Sequence, residues 1–382
     1  MKLTGRTKWA IATVAIPVLL IAAFYLYPHL PYREENPPPA TGEVRDVPPS
    51  WFDRTLSAYY EKKTDEPIVA IIRQDIEAQV GAISPDGQFI ATGGSVIRDL
   101  RILSVSEKRI VRKLAIRGGD VAAVAFSPDG RYLATGRGFM AHMLHNESVN
   151  IWDARSGRLI RNLPGPAGPE MILNDVTALA FSPDSSTLAV SYMPQPDKGD
   201  CVHLFNVSTG ERIQALHQSN YTEGPLFFLN GGRHLAYEGY GRAFVVYDVD
   251  TGKQVRLLSF NAAYTLSPDG QYLAAGTSEG KLLKIIDFKT GREIKRLGSA
   301  KGYYRRLAYS PDGLYLAAFS DDGLLAIWDV LAGKIVRELK AHPDIMGNWI
   351  GFDADGKYFA AVCNRYVVVW DFRKLISKER SY

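Results

Sequence analysis

The sequence predicts an all-β protein in which seven four-stranded antiparallel units stack around an axis. Three observations carry that prediction. A turn of the form Ser-Pro-Asp-Gly starts, whole or worn, at Ser84, Ser127, Ser182, Leu229, Ser267, Ser310 and Asp353. Successive copies lie 43, 55, 47, 38, 43 and 43 residues apart, a period near 43 that marks a repeat architecture. Each copy is flanked by short apolar runs, such as "VAAVAF" and "RYLATG" around the second, that suit strands buried on both faces.

In chain order, the first element is a basic amino terminus (residues 1–8) carrying Lys2, Arg6 and Lys8. Trp9 to Tyr27 then runs without a charge, about the length a helix needs to cross a bilayer, so 9–30 is expected to be a transmembrane signal-anchor. Trp9 at one end, and Phe24, Tyr25, Tyr27 and Tyr32 at the other, fall where amphipathic rings meet the interface. The basic end should stay in the cytoplasm, which puts the rest of the chain in the periplasm or outside the cell. A cleaved signal peptide is the competing reading. Residues 31–49, rich in proline and charge, read as a spacer. Residues 50–66 read as an amphipathic helix and lead-in: Ser50 and Asp53 resemble a capping box, and Phe52, Leu56, Tyr59 and Tyr60 share one face.

Within a repeat the turn has a local logic: proline presets one backbone angle, aspartate bonds back to the main chain, and glycine takes positive φ. After "RYLATG" come "SVNIWD" and "GRLIRNL", so one unit is a meander of four strands. Alone it would leave edges unpaired and faces uncovered, and neighbours must supply the cover.

The units resemble WD repeats, whose family fold is a β-propeller. The dipeptide stands at Trp152-Asp153, Trp328-Asp329 and Trp370-Asp371, with Phe205-Asn206, Tyr247-Asp248, Ile286-Asp287 and Leu103-Ser104 in its place elsewhere. The resemblance covers 67–374, with 375–382 as a tail, and the dense turns with drifted Trp-Asp positions look like the bacterial type. It implies seven blades. The Gly-His that opens a typical unit is missing, with only Ala341-His342 near it, so the family's buried Asp-His-Ser-Trp bonds cannot be complete. The last unit lacks a fourth strand. As is common in the family, the run Ile68 to Ile72 is expected to pair beside Tyr366 to Trp370 and close the ring.

Composition sets limits on function. A net charge of +4 without a basic concentration argues against nucleic acid as a partner. Two cysteines, Cys201 and Cys363, make no disulfide framework and are expected to be unpaired. The residues leading into the inner strands, Gln79, Asp120, Asp175, Glu223, Ala262, Arg305 and Asn348, form no consistent metal shell. No hydrolase, metalloprotease or phosphate-loop motif is present, so neither a catalytic residue nor a cofactor is expected. The histidines read as surface or turn residues.

The irregular intervals are more informative. Excess length falls in Gly136 to Ser148, Pro164 to Asp175 and Tyr192 to Asp200, loops that should emerge together on one rim of blades two and three. Phe139, Met140, Met143, Met171 and Met193 would offer adaptable apolar contacts to a protein partner, with His142, His145, Glu147, Glu170, Asp197 and Lys198 beside them. Met140, His142, Met143 and His145 are also the only candidate metal ligands, of a type that suits copper. The expectation is a membrane-tethered, non-catalytic interaction platform serving a protein partner or an envelope complex. The alternatives are a ligand- or copper-sensing propeller, or a propeller hydrolase.

Overall fold

The recurring turn is held by its own side chains. Ser310 Oγ donates to Asp312 Oδ1 (2.5 Å) and accepts the Tyr315 N–H (2.9 Å), while Asp312 Oδ1 accepts the Leu314 N–H (3.0 Å). Gly313 supplies the φ of 71° that closes the loop. The same bonds recur at Ser84 and Asp86, Ser127 and Asp129, Ser182 and Asp184, and Ser267 and Asp269. At the glycine position the third copy has Ser185, with φ 63°. Its Oγ accepts the Asp129 N–H of the preceding turn (3.1 Å), so a bond between repeats offsets backbone strain. The fourth copy, Asn230–Gly232, is a single 3-10 turn.

The computed structural model describes residues 67–377, apart from residues 95–98, 117–119, 139–146, 167–174, 194–199, 218–223, 240–242, 260–262, 277–281, 299–303, 321–322 and 341–346. All of these residues belong to the unit Ala40–Tyr382. The expected anchor, spacer and amphipathic helix, and residues 378–382, lie outside the described residues.

The strands are β1 (Ile68–Ala78), then β2 (Val80–Ile83), β3 (Phe89–Gly93), β4 (Asp99–Ser104) and β5 (Arg109–Ala115) in blade 1. Blade 2 holds β6 (Val121–Phe126), β7 (Tyr132–Arg137), β8 (Glu147–Asp153) and β9 (Leu159–Pro164). Blade 3 holds β10 (Val176–Phe181), β11 (Thr187–Tyr192), β12 (Asp200–Asn206) and β13 (Arg212–His217). Blade 4 holds β14 (Phe227–Leu229), β15 (His234–Gly239), β16 (Ala243–Asp248) and β17 (Gln254–Ser259). Blade 5 holds β18 (Tyr264–Leu266), β19 (Tyr272–Gly276), β20 (Leu283–Asp287) and β21 (Glu293–Leu297). Blade 6 holds β22 (Tyr304–Tyr309), β23 (Tyr315–Ser320), β24 (Leu324–Asp329) and β25 (Lys334–Lys340), followed by β26 (Gly347–Phe352) and β27 (Tyr358–Asp371) of blade 7. In the first six blades neighbours in sequence are neighbours in the sheet.

Blade 7 has the order β1-β27-β26. β27 is a continuous run of 14 residues, yet the rings of Phe359 and Trp370 lie 5.6 Å apart. Eleven residues of extended chain would separate them by about 36 Å. The run therefore doubles back at Asn364, whose φ is 51°, and supplies two strands of a four-stranded blade. As expected, Ile68 pairs with Trp370, Ile72 with Val367 and Arg73 with Tyr366. The closing strand is longer than the expected Ile68 to Ile72, continuing to Ala78.

Hydrophobic burial joins each blade to the next. One cluster packs Leu100, Ile102 and Leu114 of blade 1 against Val121, Leu133 and Trp152 of blade 2, and equivalent clusters join the successive blades up to the seventh. A seventh cluster sets Ala70, Ile72, Val362 and Val367 of blade 7 against Ile90, Leu103 and Ile110 of blade 1. Because side chains alternate along a strand, Leu133 faces blade 1 while Ala134 faces blade 3. Among the described residues, cohesion between blades is thus mainly apolar, as the missing Gly-His implied.

The residue at the aspartate of each Trp-Asp position caps the next turn. Asp153 Oδ1 accepts the Ser156 N–H and hydroxyl, both at 2.7 Å, and these bonds hold its carboxyl below the usual range. Asp248 and Asp287 accept from Thr251 and Thr290 in the same way, Asp329 accepts the Ala332 N–H (2.7 Å), and Asn206 and Ser104 stand at the same position in their blades. In blade 7 Asp371 accepts the Lys374 N–H (3.1 Å) at the start of α1 (Phe372–Ser377), which buries Leu375 and accepts Arg337 Nε at the Leu375 carbonyl (2.9 Å). The start of the expected tail, as far as Ser377, is therefore part of a short helix laid on blade 6.

Candidate functional site

The first strands of all seven sheets surround one cavity of about 660 Å³. Several of these strands begin irregularly. Pairing with the second strand slips between Val121 and Ala123, Val176 and Ala178, Tyr304 and Arg306, and Gly347 and Trp349. Such a bulge kinks the strand and re-aims the extra side chain. The extra residues, Ala122, Thr177, Arg305 and Asn348, all line the cavity.

The lining differs between two arcs. Blades 6, 7 and 1 contribute Arg305, Arg306, Asn348, Trp349 and Gln79, whereas blades 2 to 5 present mainly small or apolar groups such as Ala122, Gly224, Pro225 and Ala263. Asn348 Nδ2 donates to the Ala78 carbonyl (2.7 Å) and to Asn364 Oδ1 (3.2 Å), which fixes its amide across the junction of β26 with the closing strand. Arg306 donates from Nε to the Asn348 carbonyl (2.7 Å) and from Nη1 to the Arg305 carbonyl (3.0 Å). Enclosure by protein, followed by the neighbouring Arg305 charge, holds the Arg306 guanidinium below its ordinary pKa, although water still reaches it through the channel.

Of the residues expected at the inner-strand entries, Gln79, Arg305 and Asn348 line the cavity, while Asp120 and Asp175 are buried. Glu223 and Ala262 lie outside the described residues. No group of three metal-ligating side chains is present among the described residues.

The long loops can be followed to their roots. Phe139, Met140, His142, Met143, His145, Glu170, Met171, Asp197 and Lys198 lie outside the described residues, as does the side chain of Glu147. Their stems are held close together. Met193, itself half-buried, donates its N–H to the Asp175 carbonyl (2.8 Å), and Tyr192 Oη donates to the Pro164 carbonyl (3.4 Å). Gly136, at the root of the first loop, lies directly against Val176, where a side chain would collide. The Gly138 N–H meets the Asp120 carbonyl (3.2 Å).

Two kinds of residue were missed in the sequence. Arg306 and Trp349 line the cavity without having been singled out. Their signal was departure from the repeat: "YRRLAYS" stands where the second copy reads "VAAVAFS". His203, expected at the surface or in a turn, is instead 1% exposed in β12, edge-on to Tyr192 (5.1 Å between centroids) and beside Phe205 (6.1 Å). Strand alternation places it inside, and the aromatic neighbours cover its ring. Cys363 is buried and free, its thiol raised to about 12 by burial; the Cys201 side chain is outside the described residues.

Comparison with known proteins agrees with this geometry. Residues 110–153, 292–329 and 333–371 match the family described as WD domain, G-beta repeat. Each match ends on the aspartate of one of the three intact Trp-Asp pairs. The chain is similar to the serine-threonine kinase receptor-associated protein of Gallus gallus, 27% identical over 35% of this chain and 38% of that protein. It is also similar to the U3 small nucleolar RNA-associated protein 18 homolog of Mus musculus, 26% identical over 48% of this chain and 34% of that protein. The matched stretch thus spans little more than a third of either relative. Repeated turns, blade order and matched stretches together identify WD40 repeats folded as a seven-bladed β-propeller.

Proposed function

We propose that this propeller is a non-catalytic platform that holds a protein partner at the rim of blades 2 and 3. The observation that supports it best is the convergence of three loop stems, through the Met193–Asp175 and Tyr192–Pro164 bonds and the Gly136–Val176 contact, on one part of a closed ring. Loops add binding groups to a rigid scaffold at small cost in stability. Both named relatives are described as associated proteins, which fits an interaction role.

The uncharged run from Trp9 to Tyr27 supports a membrane tether, with the basic end in the cytoplasm and the propeller in the periplasm or outside the cell. The bacterial-type reading rests on the turn sequences alone, and the two relatives come from vertebrates. A reporter at the carboxyl terminus that is active only in the cytoplasm would overturn the orientation. The platform itself is tested by recovering the protein with its partners, as the natural chain and with loops 137–147 and 192–199 shortened. An abundant partner lost only from the shortened form is the expected result; the same partners in both would remove the rim from the proposal.

A further inference from the structure

We propose that the central cavity binds a small anion, a free carboxylate or phosphate compound, on the guanidinium of Arg306, with the Trp349 indole as an apolar wall beside it. This is independent of the loop rim and stands whether or not the rim binds a protein.

The argument begins with charge. Arg305 and Arg306 are the only charged residues in the described lining, which contains no aspartate or glutamate. Two like charges on adjacent residues repel, and the protein around Arg306 adds to the cost of its charge although water reaches it. The bonds of Arg306 to the Asn348 and Arg305 carbonyls use Nε and one Nη1 hydrogen. Carbonyls hold the group in place but do not neutralise it. Nη2 and the remaining Nη1 hydrogen are left to donate, in the planar fork that suits a carboxylate or phosphate. An anion seated there would offset the repulsion between the two guanidinium groups.

Shape gives the second part. Trp349 lies over Gly351 of its own strand, where a Cβ would run into the indole, and against Gly81 of blade 1, where a Cβ would collide with Val362 and crowd the indole. Two glycines from different blades thus make room for a flat aromatic group at the cavity wall. The guanidinium of Arg306 is bonded to the carbonyl of the residue just before this tryptophan. An anion that carries a planar ring could meet both groups, and a volume of about 660 Å³ admits one small organic molecule.

The test is calorimetric titration of the full chain with adenosine monophosphate, inorganic phosphate and adenosine, with tryptophan fluorescence read in parallel. Saturable binding of the monophosphate, weaker binding of phosphate and none of adenosine is expected. Arg306→Gln should weaken the monophosphate at least about tenfold, the scale of one charge-assisted contact, and Trp349→Phe should remove most of the fluorescence response. If Arg306→Gln melts abnormally, Arg306→Lys and the salt dependence of the natural chain replace it: retained but weakened binding that falls with salt supports the site. Absence of saturable binding of either anion at 10 mM (roughly the weakest affinity worth calling a site) overturns the proposal. So does unchanged affinity in a folded Arg306→Gln protein, or a hexaglutamate peptide that binds Arg306 more tightly than the small anions.

Discussion

Blade 7 and the six other blades solve the same packing problem with different connectivity. In blades 1 to 6 every strand pairs with its neighbour in sequence, so each sheet forms from chain that is already close together. In blade 7 the outer strand comes from the beginning of the described chain and the rest from its end, with Ile68 opposite Trp370. By the logarithmic law, closing that loop costs about 3 kcal/mol more than closing a local hairpin. The extra cost is met by density of packing: Phe352, Phe359, Trp370 and Phe372 form linked ring contacts at 4.8 to 6.4 Å, and α1 ties the blade to its neighbour. The seventh blade is where topology is most costly, and its linked rings offset part of that cost.

The largest effect that would break this comparison lies in the closing strand. Ile72 is 1% exposed in the cluster between blades 7 and 1, and Leu163 is 0% exposed in an outer strand made locally. Truncation of either to alanine should cost about 2–5 kcal/mol. The kinetics should separate them. A contact that waits for long-range closure forms late, so Ile72→Ala should mainly speed unfolding, whereas Leu163→Ala should also slow folding. Stopped-flow unfolding and refolding rates check this, and equal partition at the two sites would show that the closure has no special place in folding.

A smaller effect tests the turns. Ser310→Ala removes the hydroxyl that receives the Tyr315 N–H and donates to Asp312, and should cost about 1–2 kcal/mol by denaturant unfolding. In blade 7 the same position is Asp353, whose Oδ1 accepts the Tyr358 N–H (2.9 Å) while burial, with Asp355 nearby, raises its carboxyl above the ordinary range. The folded state therefore holds this proton more tightly than the unfolded chain does. The resulting stability is present below the unfolded value, near 3.8, and is lost as pH rises through the raised folded value. Asp353→Ser should abolish that dependence and stabilise the protein at pH 7 by about 1 kcal/mol. Thermal melting from pH 3 to pH 7 reads both the sign and the size.

How much of this was legible depended on whether a feature repeats. The Ser-Pro-Asp-Gly spacing carried seven blades because each copy stabilises itself through bonds within six residues, a range visible in sequence. The closing strand was legible because the resemblance to WD repeats implies an amino-terminal strand in the last blade, and the apolar run Ile68 to Ile72 stands just before the first unit. The cavity was less so: Gln79, Arg305 and Asn348 were singled out at the entries of inner strands, but Arg306 and Trp349, each next to a residue that a slip in strand pairing re-aims, also line it, and a slip is a three-dimensional offset. His203 was missed because its cover comes from Tyr192 and Phe205 across and along the strand. The residues expected at the rim, such as Met140 and His142, fall in stretches of sequence that depart from the repeat, so its period says nothing about them.

The smallest effect concerns the tryptophan of the repeat signature. Trp152 Nε1 donates to Thr135 Oγ1 at 3.0 Å, whereas the buried indole nitrogens of Trp328 and Trp370 have no acceptor. Register explains the difference. Leu133 lies opposite Trp152 and Leu316 opposite Trp328, so the position matching Thr135 in blade 6 is Ala318, which has no hydroxyl. Ala318→Ser would supply an acceptor with one added oxygen in a site that is 0% exposed. A satisfied indole is expected to add about 0.5–1 kcal/mol, offset in part by crowding. If Ala318→Ser instead destabilises the protein while Thr135→Ala in blade 2 is neutral, the indole bond contributes nothing to cohesion, and blade packing is apolar even where the family's signature survives.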